Sequence, residues 1–147
     1  MRALRRFLAL SRDDRILVAR SAMVLMGIWL GLRLFSFKAV LEAVDRPSRR
    51  MSYPNRCSRP RLDRIVWAVL AVSWYWPLMM NCLAQALAAK VMLKREGYRT
   101  LVRIGVATSE SAGLSAHAWL EYNGEVILGG AGSEDFHALP CFQRGPS

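Results

Sequence analysis

Gly97 divides this chain into two textures, and that division constrains the fold more than any other feature. Before it, apolar residues come in long stretches that lack strand alternation. After it, short alternating runs flank Asn123-Gly124, the strongest short-range hairpin signal. Ser11-Arg12-Asp13-Asp14 reads as a capping box and predicts a helix to about Phe35. A shorter helix is expected over 37–44, and a third from Leu62 to about Tyr75, stopped near Pro77. The fourth opens on Asn81 as N-cap and runs through CLAQALAAKVMLKRE to Gly97, which stands where a left-handed C′ glycine belongs. Its first turns are apolar nearly all round, which predicts burial on most sides. Beyond it, TLVRIGVA (100–107) and AHAWLEY (116–122) read as strands joined by a loop, TSESAGLS. EVILGG returns as the hairpin partner, and no regular structure is expected in the tail from residue 131. Helices, then a buried helix, then an antiparallel sheet define an α+β fold.

At 147 residues the chain has room for one core domain with a helical appendage. We expect residues 1–61 to form a basic N-terminal helical region ending in a Pro- and Arg-rich linker, and residues 62–147 to form the core. The charge follows this division. Residues 1–64 carry 15 Lys or Arg against 5 Asp or Glu, whereas the remainder carries 6 of each, so the whole excess of +10 lies in the first part. Such an excess suits solubility, an acidic partner, a membrane surface or nucleic acid. No nucleic-acid module accompanies it, and nucleic acid is not expected. The run SAMVLMGIWLGL (21–32) falls short of the roughly 20 apolar residues of a transmembrane helix. It is read as a buried core helix, with peripheral membrane contact as the alternative.

Three cysteines, Cys57, Cys82 and Cys141, are odd in number, widely separated and form no CxxC pair. That favours reduced thiols in a cytoplasmic setting over a disulfide framework or a zinc site. With no HExxH and no phosphate-binding glycine loop, neither a metal nor a cofactor is expected.

Cys82 stands at the first position of the fourth helix, where free N–H groups and the helix dipole favour a thiolate and can bind an oxyanion. A lone cysteine there is weak evidence. His117, 35 residues further on and inside a strand, changes its weight, because an imidazole paired with a helix-start thiol serves as base and then as acid. Alternation places His117, Trp119 and Glu121 on one face of the strand, and Ala116, Ala118, Leu120 and Tyr122 on the other. Trp67, Trp74, Trp76 and Trp119 are expected to pack in the core, with the lining of a substrate groove as the alternative. His137, in a loop-like tail, is a poor second candidate for the base.

Together CLAQALAAKVMLKREGYRTLVRIGVA and AHAWLEYNGEVI resemble the leader peptidases of lasso-peptide biosynthesis, which are transglutaminase-like cysteine proteases. The resemblance covers roughly Asn81 to Ile127 and extends more loosely to the N-terminal helices. It implies a papain/transglutaminase-like core and cleavage of a leader from a ribosomally made precursor, with Cys82 as nucleophile and His117 as general base and acid. Since the chain lacks room for a leader-binding domain, the resemblance also implies a separate leader-recognition protein, and the ring-forming cyclase as a further partner. The family's third residue is an aspartate 12 positions after the histidine, and here that position is Gly129. In an ideal two-residue hairpin Tyr122 faces Glu125 and His117 faces Gly130, which leaves Glu125 and Glu121 too far along the strands to reach His117. Only the loop after the hairpin can fold back. Asp135, with Glu134 next, is the candidate carboxylate; the alternatives are a backbone carbonyl, a slow enzyme with no orienting group, or a scaffold that binds precursor and partners without cutting.

Overall fold

A computed structural model describes residues 10–46, 58–75, 81–109, 113–130 and 136–138. Among them the chain forms α1 (Arg12–Leu34), α2 (Phe37–Asp45), α3 (Arg59–Tyr75) and α4 (Cys82–Arg95). β1 (Thr100–Ser109), β2 (Gly113–Tyr122), β3 (Glu125–Leu128) and the two-residue β4 (His137–Ala138) follow. The α+β expectation holds: the strands make one antiparallel sheet in the order β3-β2-β1-β4.

Local chemistry sets most of the boundaries. Ser11 Oγ accepts from the Asp14 amide at 3.2 Å and starts α1. Asn81 Oδ1 accepts from the Leu83 amide at 3.0 Å and starts α4. At the far end of α4, Tyr98 N donates to Leu93 O and Gly97 N to Lys94 O, a Schellman closure that needs the left-handed backbone (φ 92°) of Gly97. α3 begins at Arg59, three residues before the expected start. Pro60 is tolerated there because the first turn's N–H groups have no helical partners anyway.

α4 lies at the centre, against α1, α3, β1 and β2. Ala84, Ala86, Leu87, Ala88 and Leu93 have no exposed surface, and they join Leu62, Ile65, Val69 and the strand residues Val102, Ala118 and Leu120 in one core. Lys90 is buried in this helix and pairs with Asp45 of α2 at 2.5 Å. The Tyr98 hydroxyl donates to Ser58 O and accepts from Ser58 N, so the start of α3 is pinned beside the end of α4. An ion pair between Asp14 and Arg64 joins α1 to α3.

Four expectations are corrected. The loop expected over 108–115 is largely ladder, because pairing continues through Thr108↔Leu114 to Ser109↔Gly113. Backbone hydrogen bonding extends the pairing through a stretch whose sequence lacks strand alternation. The tail is not wholly irregular, since His137 and Ala138 pair with Val106 and Gly105. α1 is no fully buried core helix. It buries Leu17, Ser21 and Leu25 along one stripe and leaves Met23 and Leu34 each 67% exposed. At 23 residues, α1 is long and apolar enough by length and composition to cross a membrane, although only one side of it is packed here. Trp67 and Trp74, placed in the core by the sequence, are 44% and 79% exposed, because α3 turns its other face inward; Trp119 is buried as expected. Trp76, Cys57 and Cys141 lie outside the described residues.

Candidate functional site

Cys82 is the first helical residue of α4 and is half-buried against the core. The Asn81 side chain both caps the helix and lies 3.9 Å from Cys82 Sγ, a long contact for a thiol donor. The cap engages the Leu83 N–H, so oxyanion binding at this helix start falls to the remaining first-turn amides.

His117 sits mid-way along β2, opposite Gly105 of β1. The expected alternation is present: Ala118 and Leu120 enter the core beside α4, and Tyr122 packs against it, while His117, Trp119 and Glu121 belong to the other face. The ring stacks with Trp119 (centroids 6.3 Å apart) and lies 5.3 Å from Phe136. Gly105 makes that arrangement possible. A Cβ there would meet Phe136 Cβ and the Trp119 indole at 2.8 Å, so only glycine lets both aromatics cross β1 beside the histidine. Neither Gly105 nor Phe136 was legible as part of a site, since nothing in their local sequence marks them.

The imidazole Nε2 lies 2.7 Å from the carbonyl oxygen of Gly129. A carbonyl only accepts, so Nε2 carries the proton and the neutral ring keeps its lone pair on Nδ1. That is the tautomer in which Nδ1 can receive a thiol proton.

Packing brings α4 onto β2, but no hydrogen bond joins Cys82 to His117 among the described residues. The carboxylates excluded by spacing are committed elsewhere. Glu121 accepts from Trp119 Nε1 at 2.9 Å and from Arg103 at 3.2 Å; Glu125 is held by both guanidinium nitrogens of Arg59 at 2.5 and 2.8 Å. Asp135 and Glu134 lie outside the described residues. His137 is exposed on β4, opposite Val106. Among the described residues no three His, Cys, Asp or Glu side chains converge as metal ligands. A shallow groove between α1 and α4, lined by Arg20, Met23, Val24, Ile28, Val91 and Arg95, lies toward the opposite end of α4 from Cys82.

Residues 22–141 match the sequence model of a family described as the transglutaminase-like superfamily. No curated protein matches the chain, and no solved structure does.

Proposed function

Because the chain belongs to the transglutaminase-like superfamily, which includes cysteine proteases, we propose that it is a cysteine peptidase that removes the leader from a ribosomally made lasso-peptide precursor. The observation that carries this reading is Cys82 at the first position of a capped helix packed on the strand that bears His117, all within the matched region.

In this mechanism Sγ of Cys82 attacks the carbonyl carbon at the leader–core junction while His117 Nδ1 takes the thiol proton. The tetrahedral oxyanion is held by first-turn amides of α4. The C–N bond breaks, the imidazolium gives its proton to the departing core amine, and the leader remains as a thioester. Water, deprotonated by His117, then releases the leader as a carboxylate and restores the thiol. The first step requires thiol and imidazole to come within hydrogen-bond reach of one another in the substrate complex. A separate leader-recognition protein delivers the precursor, the cyclase receives the core, and the free thiol suits a reducing cytoplasm.

The test is cleavage of the precursor by the purified chain with its leader-binding partner. Wild type is expected to release the leader, Cys82→Ala to release none, and iodoacetamide to alkylate Cys82 faster than Cys57 or Cys141. Equal cleavage by the alanine variant would overturn the proposal. Two observations favour a second reading, a scaffold that binds precursor and partners without cutting: Gly129 at the aspartate position, and the lack of a hydrogen bond between Cys82 and His117. Tight precursor binding with an intact leader after prolonged incubation is the outcome expected of the scaffold.

A further inference from the structure

We infer that the backbone carbonyl of Gly129 is the positioning group for His117, and that glycine at this position is a built replacement for a carboxylate. This rests on the catalytic reading of His117 given above. The argument begins with the hairpin register. Tyr122 pairs with Glu125 and Glu121 with Val126, but Leu120 pairs with Leu128, so Ile127 is an extra residue bulged out of β3. The slip moves everything beyond it by one position relative to an ideal hairpin. Continued past Leu128, the slipped register sets Gly129 level with Trp119, on the face that carries His117, where an ideal hairpin would set it level with Ala118 on the core face; there it lies against Ala118 and Trp119, with its oxygen 2.7 Å from Nε2 of His117.

The conformation of Gly129 excludes any side chain. Its φ is +79°, and a Cβ would stand 2.8 Å from the Ala118 carbonyl oxygen and 3.1 Å from Trp119 Cα. Those are backbone atoms within the sheet, and they cannot swing away. The carbonyl and a side-chain carboxylate at 129 are therefore alternatives: the backbone that presents one forbids the other. Trp119 and Phe136 flank the same ring, so the acceptor and two aromatic contacts together fix its tautomer and tilt. A carbonyl brings only a partial charge where a carboxylate brings a full one. It orients the imidazole but stabilises the imidazolium less.

Long-range ¹H–¹⁵N correlation on the full chain, at a pH where the ring is neutral, reads the tautomer directly. Nε2–H is expected for His117, and Nδ1–H would overturn the inference whatever the enzyme cleaves. Gly129→Ala and Gly129→Asp are each expected to give a mixed tautomer. Both should lower kcat by about 10- to 100-fold with KM changed less than about twofold, the pattern of a misplaced base rather than lost binding. A Gly129→Asp enzyme as fast as wild type, or faster, would also overturn it, because glycine would then be a lost carboxylate and no replacement. Should neither variant fold, the wild-type spectrum decides alone. A wild type that never cuts the precursor counts against the peptidase reading, while its tautomer still reports on Gly129.

Discussion

Helices α1 and α4 are both strongly apolar, yet the fold treats them oppositely. α4 buries eight of its 14 residues and α1 three of its 23, so hydrophobic content did not choose the central helix. Neighbours did. α4 has α1, α3 and two long strands around it, whereas α1 packs on one side only, with Leu17, Ser21 and Leu25 buried and Val18, Ala22 and Ile28 partly buried beside them. Its outer face keeps Ile16, Met23, Met26, Leu30 and Leu34 in contact with solvent. An apolar sequence permits burial, but burial requires partners on every side.

The sharpest way to break this comparison is to truncate one side chain in each helix. Leu87→Ala removes a side chain with no exposed surface from α4 and is expected to cost about 2–5 kcal/mol in urea unfolding. Met23→Ala in α1 should stay within about 0.5 kcal/mol. Similar losses would mean that α1 is covered in solution and that the contrast is false.

Ion pairs offer a second contrast. Asp45→Ala strands the buried Lys90 ammonium and is expected to cost about 1–3 kcal/mol. Asp63→Ala breaks only an exposed pair with Arg59 and should cost less than about 1 kcal/mol. Glycines sharpen the comparison further, because the same substitution should change sign between the helices. Gly97→Ala forces a side chain into the left-handed backbone that ends α4 and should lose about 1 kcal/mol. Gly27→Ala lies inside α1 with nothing within 4 Å of the new Cβ and should gain up to about 1 kcal/mol.

The smallest effect concerns the carboxylates that tie α3 to α1 and to β3, half-buried Asp14 and exposed Glu125. The hydrogen bond from Arg64, assisted by Ser11, holds Asp14 below its usual 3.8, and Arg59 holds Glu125 below its usual 4.5. A depressed carboxylate stabilises the fold above its unfolded value, and that contribution disappears as pH falls through the folded one. Thermal melts should therefore show a modest loss of stability below about pH 4, weaker in high salt and reduced in Asp14→Asn or Glu125→Gln. A melt unaffected by either substitution would remove these pairs from the account.

Much of the architecture was legible in the sequence where a few adjacent residues decide the outcome. Ser11, Asn81 and Gly97 marked helix ends through side-chain caps and backbone freedom. Asn123-Gly124 marked the turn, and alternation on β2 separated His117 from Ala118. Gly129 as a departure from an expected aspartate was legible too. Its consequence was not, because an ideal hairpin sets Gly129 level with Ala118 on the core face, and one bulged residue turns it to the face of His117. Phe136 and Gly105 escaped notice because their meeting with His117 joins three separate segments.

By itself the amino-acid order determined the caps, the turn, the α+β succession and the placing of a thiol at a helix start and an imidazole on a strand. These depend on dihedral preferences and hydrogen bonds that close within a few residues. Only the tertiary structure decided which apolar helix is surrounded, where β3 slips, and which oxygen meets His117. Those outcomes come from packing between segments far apart in the chain, and local preferences carry no information about such distances.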